Sequence, residues 1–322
     1  MRACYSTGYT IPMPEGHRFP MGKFSMLHEI LTEAGLLGAA DVVEPTEASL
    51  KDLARVHDSA YLEALANDGL SRAEQRRLGL PVGPALFRRS RLAVQGTLLA
   101  GRMALDDGIA ANLAGGTHHA FADHGEGFCV FNDVAVSIRC LREEELLRRC
   151  LVLDLDVHQG NGTARIFCDD PDTYTFSIHG QSNYPFQKEQ SSLDVPLPNG
   201  IGDEGYLDAL SHHLPTAIDQ ARPELVFYLA GVDPVRGDRF GKLDLSPEGL
   251  AQREQLVLST LQETGLPCAL LMSGGYARTP RQTAELHAVV HRKANQLFGP
   301  GRSLPHRHDP AAESRPTMGE PR

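Results

Sequence analysis

The middle of the chain reads Leu151-Val152-Leu153-Asp154-Leu155-Asp156-Val157-His158. Its continuous apolar run predicts a strand that is buried on both faces, as in a parallel sheet. Because side chains alternate along a strand, Asp154, Asp156 and His158 are predicted to emerge on one side of it. Carboxylates and an imidazole at this spacing suit a divalent metal ion such as zinc. The alternative is an edge strand with solvated polar residues, but an edge strand would not normally carry such an apolar run.

Apolar strands alternate with helical patterns along the rest of the chain. Besides the central strand, strands are predicted over 110–113, 174–178, 225–230 and 268–272, with a short one near the amino terminus. Helices are predicted over 23–37, 84–105, 132–147, 162–167, 203–221, 247–264 and 279–298, with a helical pair over 48–66. This alternation predicts an α/β fold with an open, mostly parallel sheet and helices on both faces. Residues 1–299 are predicted to form one domain, and residues 300–322, rich in Pro, Arg and His, a disordered tail.

Composition limits the classes of partner. The formal net charge of -10 argues against direct binding to nucleic acid and mildly favours a cationic ligand. The six cysteines show no CxxC pairing, which fits reduced thiols in a cytoplasmic protein. The amino terminus lacks the pattern of a signal peptide, and no apolar window is long enough for a membrane span. A cytoplasmic protein without membrane contact is therefore predicted.

Polar residues with catalytic potential follow several predicted strands. In parallel sheets, ligands collect at the carboxyl ends of the strands, so these side chains are expected to face one crevice. Two carboxylates and one imidazole would form an open three-ligand site, whose ion lowers the pKa of a bound water and polarises a carbonyl. An adjacent imidazole can accept the proton of the water, and a phenol can stabilise the oxyanion. The residues concerned are His118, His119, Asp156, His158, Asp233 and Tyr276.

Other histidines have simpler interpretations. His57 is interpreted as a capping or packing residue, and the pair His212-His213 as a structural feature of a helix. His306 and His308 fall in the predicted tail, where a solvated role is favoured over metal binding.

Five motifs carry a resemblance to a known family. They are Gly115-Gly116-Thr117-His118-His119-Ala120, Gly127-Phe128-Cys129-Val130-Phe131-Asn132-Asp133, Asp154-Leu155-Asp156-Val157-His158-Gln159-Gly160-Asn161-Gly162-Thr163, Ala230-Gly231-Val232-Asp233 and Ser273-Gly274-Gly275-Tyr276. Over about residues 10–298 the sequence resembles the histone deacetylase superfamily, including the bacterial acetoin-utilisation and acetylpolyamine deacetylase-like proteins. The segment Phe19-Pro20-Met21 and the pair His158-Gln159 are similar to the class IV branch and its bacterial relatives.

The resemblance implies an open α/β fold shared with arginase and a zinc-dependent amidohydrolase that removes acyl groups from amines. By matching position it implies metal ligation by Asp156, His158 and Asp233, an acid/base pair of His118 and His119, and polarisation of the acyl carbonyl by Tyr276. Phe128 and Tyr184 match the aromatic walls of the substrate tunnel, and Gly127 and Gly274 are further substrate-binding candidates. A structural potassium ion is implied as well, held by carbonyls of Asp154, Asp156 and His158 with Ser177 and Ile178.

Two positions depart from the class I pattern. Where class I members have an aspartate behind the second histidine, this chain has Asn161, as class II and IV members do. We therefore expect Asp154 to raise the pKa of His118, whereas the neutral Asn161 leaves His119 less basic and free to accept a proton. Near Gly79-Leu80-Pro81 the acidic residue that grips the substrate backbone in class I enzymes is missing, which puts recognition of a histone-like peptide in question.

The residues are compatible with several alternatives. The acylated amine is an acyl-lysine protein, an acetylpolyamine or a small acylated metabolite, and the metal is zinc or iron (Fe²⁺). A ureohydrolase on the same fold would need further Asp and His ligands for a second metal ion. A non-catalytic acyl-lysine or polyamine binding protein would keep the fold without turnover. Access to the site is expected to depend on two loops, over 11–20 and 181–189.

Overall fold

Eight parallel strands form a single sheet in the computed structural model, which describes residues 1–299. Their order across the sheet is β2-β1-β3-β8-β7-β4-β5-β6, and every pairing is parallel. The strands are β1 (Ala3–Cys4), β2 (Val42–Val43), β3 (Ile109–Asn112), β4 (Cys150–Asp154), β5 (Thr173–Gly180), β6 (Leu193–Leu197), β7 (Leu225–Leu229) and β8 (Cys268–Leu271). The predicted α/β sheet is confirmed, and it is entirely rather than mostly parallel within the described residues.

Helices cover both faces of this sheet. The longest, α5, packs against α6 and several central strands, while α1, α10, α9 and α8 contact one another in succession. The helices are α1 (Lys23–Glu33), α2 (Leu50–Leu53), α3 (Ser59–Ala66), α4 (Arg72–Leu78), α5 (Pro84–Asp107), α6 (Asp133–Glu143), α7 (Asn161–Ile166), α8 (Asp203–Ala221), α9 (Pro247–Glu263) and α10 (Pro280–Phe298). With both faces covered, the central strands are apolar up to their carboxyl ends, and every residue of β4 and β7 is buried.

The central strand ends earlier than predicted. Strand β4 stops at Asp154, so Asp156 and His158 lie in the loop that follows it. Alternation along a strand therefore cannot explain how these side chains converge, and that prediction is wrong. The reason is local, because the Asp154 and Asp156 carboxylates bond the backbone N–H two residues further on and turn the chain.

Other boundaries differ for identifiable reasons. Helix α6 was predicted to reach Leu147 but ends at Glu143, followed by Glu145 in the left-handed region with φ 57°. Acidic side chains are unfavourable at a helix carboxyl end, and Glu143 to Glu145 lie there. Helix α4 was not predicted, although Ser71 and Glu74 form a capping box at its start.

Strands β2 and β6 were also not predicted. Strand β2 has two residues, and β6 is an edge strand that contains Pro196. Proline is tolerated at a sheet edge but obscures a strand pattern in the sequence.

The remaining sequence predictions concern membrane spans, the cysteines and the carboxyl-terminal tail. No helix in residues 1–299 has the length and apolarity needed to cross a bilayer. All six cysteines are free thiols. The predicted tail over 300–322, with His306 and His308, lies outside the described residues, and the domain boundary stays a prediction.

Candidate active site

Two loops at the carboxyl edge of the sheet bring three metal-ligand candidates together. Asp156 and His158 lie in the loop after β4, and Asp233 lies in the loop after the neighbouring strand β7. The Val157 N–H donates to Asp233 Oδ1 at 2.8 Å, which ties the loops to each other. Because β4 and β7 are adjacent, residues 75 or more positions apart in the sequence become neighbours.

The three side chains form a compact buried cluster. One ligand atom from each of Asp156, His158 and Asp233 lies within 4.8 Å of the other two. His158 Nδ1 is 3.0 Å from Asp156 Oδ1 and 3.2 Å from Asp233 Oδ2. Within the described residues this is the only group of three or more His, Cys, Asp or Glu with such spacing. A second cluster of the kind that a two-metal ureohydrolase site needs is therefore not found in residues 1–299.

The electrostatics of this cluster favour a bound cation. Burial and the adjacent Asp156 carboxylate raise the pKa of Asp233 to about 7. Burial opposes protonation of His158, but the two carboxylates outweigh it and raise its pKa to about 10. Asp233 Oδ2 is buried and has no partner in hydrogen-bonding geometry. Two carboxylates and one imidazole, with one carboxylate oxygen left without a hydrogen bond, fit a divalent ion such as Zn²⁺ or Fe²⁺.

The two predicted acid/base histidines lie side by side with different partners. The ring centroids of His118 and His119 are 4.1 Å apart. His118 Nδ1 donates to Asp154 Oδ2 at 2.7 Å. Burial disfavours the charged ring, but the carboxylates of Asp154 and Asp156 outweigh burial and raise the pKa of His118 to about 9.

His119 has a neutral partner instead of a carboxylate. Its Nδ1 is 2.7 Å from Asn161 Oδ1, and Asn161 Nδ2 donates to Glu126 Oε1, also at 2.7 Å. Burial opposes ionisation of Glu126, yet hydrogen bonds from His124 and Asn161 lower its pKa. The ionised Glu126 accepts from the amide NH₂, so the amide oxygen faces His119 and His119 Nδ1 carries the proton. Its Nε2 is left as an acceptor, and burial and the nearby His118 hold the pKa of His119 well below its usual range.

A buried carboxylate positions the backbone that carries both histidines. The N–H groups of Gly116 and Thr117 donate to Asp133 at 3.0 and 2.7 Å. Gly116 has φ 76°, and a Cβ there would lie 2.9 Å from backbone atoms of Ser273. The glycine is therefore required by both its conformation and the close approach of the loop after β8.

The loop after β8 connects the metal-ligand candidates to Tyr276. Ser273 Oγ and the Gly274 N–H donate to Asp156 Oδ2 at 2.8 and 2.6 Å. The Tyr276 N–H donates to Asp238 Oδ2 at 2.6 Å. Burial and the neighbouring carboxylates raise the pKa of Tyr276 well above its usual value, so its hydroxyl stays protonated.

An open groove of about 410 Å³ leads from the surface to this cluster. Phe128, Tyr184 and Phe240 line it, as does Tyr276 at its inner end. Gly127, with φ 56°, lies so close to His119 that a Cβ would approach the ring to 2.7 Å. The groove therefore offers an extended, largely apolar chain a path between aromatic walls to the buried cluster.

Gly274, a predicted substrate-binding residue, lies against the carboxylates of Asp156 and Asp233 at the inner end of the site. It also lines a small cavity of about 30 Å³ behind the cluster. Lys23 and Arg89 line the same cavity, and Lys23 Nζ donates to the Ser273 carbonyl at 3.0 Å. Burial lowers the pKa of Lys23 to about 8.

Among the contributors that were not identified from the sequence are Glu126, Asp133 and Lys23, together with Asp238 and Phe240. Glu126 is flanked by glycines directly before a recognised motif, and Asp133 closes that motif, so motif position was an available signal for both. Lys23 begins an ordinary amphipathic helix, and nothing in that pattern distinguishes a buried lysine from an exposed one.

The other residues that were singled out in the sequence do not line the groove. His57 Nε2 accepts from the Asn132 N–H at 3.0 Å, as expected for a packing histidine. His212 and His213 lie on α8, away from the residues that line the groove. Ser177 and Ile178 are buried on β5, where Ser177 pairs in register with Asp154. The potassium site stays a prediction.

The fold and the site together define the class of protein, a hydrolytic enzyme built on an open parallel α/β sheet. The family model described as "Histone deacetylase domain" matches residues 17–292 of this chain. The chain therefore belongs to the histone deacetylase family.

Individual relatives agree with this assignment. The chain is 46% identical over 294 residues to an uncharacterized protein of Picosynechococcus, covering 91% of this chain and 98% of the relative. It is 34% identical over 292 residues to "Histone deacetylase 2" of Arabidopsis thaliana, covering 85% and 74% of the two chains. Among solved structures, the HDA15 HD domain matches with a TM-score of 0.72 at 21% identity, covering 90% and 87% of the two chains. This last likeness concerns the fold.

Proposed function

We propose that the chain is a zinc-dependent deacylase that removes acetyl groups from acylated amines, with acyl-lysine as the favoured substrate. The observation that carries the proposal is the convergence of the buried Asp156–His158–Asp233 cluster with the His118–His119 pair at the inner end of an aromatic groove. Membership of the histone deacetylase family supports an acetylated substrate.

In this proposal Asp156, His158 and Asp233 hold the metal. When bound, the ion would lower the pKa of a coordinated water and polarise the acyl carbonyl. The remaining chemistry belongs to the protein. His119 accepts the proton of the attacking water at Nε2, because its low pKa keeps the ring neutral near pH 7.

His118 and Tyr276 complete the proposed reaction. The ring of His118 is protonated near neutral pH, because its pKa is raised to about 9, and it donates a proton to the departing amine. The Tyr276 hydroxyl, held neutral by its raised pKa, donates a hydrogen bond to the developing oxyanion. Phe128 and Tyr184 enclose the extended chain, and Gly127 lets it pass close to His119.

The same proposal includes a structural potassium ion near Asp154, Asp156, His158, Ser177 and Ile178. The register of β4 and β5 supports it, since Asp154 and Ser177 are direct neighbours and supply oxygen atoms. Iron (Fe²⁺) is the alternative metal for the Asp–His–Asp cluster. The free thiols support the predicted cytoplasmic location.

Hydrolysis of a fluorogenic acetyl-lysine peptide by protein of measured metal content tests the proposal. We expect turnover that requires about one Zn²⁺ or Fe²⁺ per chain and that is lost in Asp233→Asn. Parallel assays with an acetylpolyamine and with free Nε-acetyl-lysine separate the substrate classes. Stoichiometric metal without turnover of any acylated amine in such a panel would instead favour a binding protein.

A further inference from the structure

The outer part of the groove has the opposite charge to the protein as a whole. The chain carries a net charge of -10, yet the charged residues that line the groove are Arg77, Arg239 and Lys242, with no aspartate or glutamate among them in the described residues. All three side chains are exposed. None of them forms an ion pair within residues 1–299.

Hydrogen bonds to backbone carbonyls hold two of the three cations, Arg239 and Lys242. Lys242 Nζ donates to the Ser182 carbonyl at 2.7 Å, and an Arg239 guanidinium N–H donates to the Arg278 carbonyl, also at 2.7 Å. The Asn183 side chain donates to the Phe240 carbonyl at 2.6 Å. This bond links the loop over 181–189 to the loop after β7, which carries Arg239 and Lys242. Backbone carbonyls do not neutralise a charge, so the positive field remains directed at the groove.

The nearby carboxylates are already engaged. Asp238 accepts the backbone N–H groups of Phe240, Gly241 and Tyr276. Glu126 accepts from Asn161, and its other oxygen is 3.8 Å from the His124 ring. Glu74 accepts the Ser71 N–H at the start of α4. Glu74 acts on Arg77 only at longer range. None of these carboxylates forms an ion pair with Arg77, Arg239 or Lys242 in the described residues.

From this charge arrangement we infer that the enzyme selects acylated amines whose remaining substituents are anionic, such as an acyl-lysine flanked by acidic residues. The inference rests on the proposed deacylase function and narrows its substrate class. A polycation such as an acetylpolyamine would be repelled, because it would bring positive charge close to Arg77, Arg239 and Lys242. Local charge thus reverses the preference for a cationic ligand that the net charge suggests.

The test compares acetyl-lysine peptides of equal length with acidic, neutral and basic flanks, using the zinc-loaded full chain. An acetylpolyamine and free Nε-acetyl-lysine, with its single carboxylate, distinguish a peptide substrate from a small molecule. We expect kcat/KM for the acidic peptide to exceed that for the neutral one by about fivefold to tenfold, since exposed pairs are individually weak. The basic peptide and the polyamine should fall below the neutral peptide, and added salt should reduce these differences.

Charge-reversed and charge-keeping variants make the test specific. In Arg239→Glu/Lys242→Glu the order of the peptides should invert, whereas in Arg239→Lys/Lys242→Arg it should persist. Arg292→Glu is a matched control, because Arg292 is exposed on α10 and does not line the groove. The Arg292→Glu variant should rank the three peptides by kcat/KM in the same order as the wild type.

Binding of the acetylated peptides, followed by fluorescence anisotropy, gives a second readout that does not depend on turnover. Equal hydrolysis and equal binding of all three peptides, or a preference for the basic peptide or polyamine, would overturn the inference and leave the deacylase function intact. Binding that follows flank charge without hydrolysis would support the selectivity and contradict the function. Neither binding nor hydrolysis of any peptide, of the acetylpolyamine or of free Nε-acetyl-lysine would overturn both.

Discussion

Replacing Asn161 with aspartate tests the proposed division of labour between the two histidines. His118 and His119 are both buried, and each lies 2.7 Å from an oxygen of its partner, a carboxylate for His118 and an amide for His119. The pKa of His118 is raised to about 9 in spite of burial, whereas that of His119 is lowered. Burial lowers both pKa values, and the carboxylates of Asp154 and Asp156 outweigh it only for His118, so a carboxylate beside His119 in Asn161→Asp should make that ring more basic.

The expected magnitude is a rise of about 1–3 pH units in the acid limb of the kcat/KM profile, the usual effect of a carboxylate on an adjacent imidazole. The sign follows from the role of the residue. A general base acts only when it is neutral, so a higher pKa for His119 moves the loss of activity to higher pH. At pH 7 the variant should lose about tenfold or more of its activity and recover part of it near pH 9.

Glu126 provides the matched control. Its Oε1 lies 2.7 Å from Asn161 Nδ2, so a new carboxylate at position 161 would repel it and could retain a proton. The double variant Asn161→Asp/Glu126→Gln removes this repulsion, because the glutamine NH₂ can donate to the new carboxylate. Glu126→Gln alone reports the effect of losing the glutamate charge.

The assay is hydrolysis of an acetyl-lysine peptide between about pH 5 and 10, with metal content measured for each protein. A double variant that is active on its plateau but keeps the acid limb of the wild type would refute the assignment of His119 as the base.

Three further predictions concern the metal cluster and the phenol. Gly274→Ala should abolish metal binding, because a Cβ would overlap with carboxylate oxygens of Asp156 and Asp233. Elemental analysis measures the metal content of this variant. The control is Gly202→Ala, where a Cβ meets only one atom, at 3.9 Å, and the metal content should equal that of the wild type. Zinc at a hundred times its Kd should stabilise the wild type by about 2.7 kcal/mol, and Asp233→Asn should show no such gain in thermal or denaturant unfolding. Tyr276→Phe should lower kcat by about 10²–10³ through loss of the oxyanion donor, with KM and metal content little changed; a large change in KM instead would argue for a binding role.

Much of the fold was predictable because its signals are local. A strand buried on both faces needs a continuous apolar run, and the run before Asp154 indicates a parallel sheet without further information. Motif chemistry also identified the cluster of Asp156, His158 and Asp233 before any geometry was available. The sequence could not reveal that β4 ends at Asp154, because a carboxylate that bonds the backbone two residues on ends a strand without changing its apolar pattern.

The sequence by itself determined the central strands, the long helices and the chemical identity of the residues at the strand ends, since short-range periodicity and residue type carry that information. Only the tertiary structure decided which partners those residues meet. Glu126 orients Asn161 from 35 positions away, and Ser273 contacts Asp156 from 117 positions away. The positive groove is likewise a product of folding, because Arg77 on α4 and Lys242 in the loop after β7 are far apart in an acidic chain. Charge and burial act through space, so the pKa values and selectivity of this site depend on distances that no local pattern encodes.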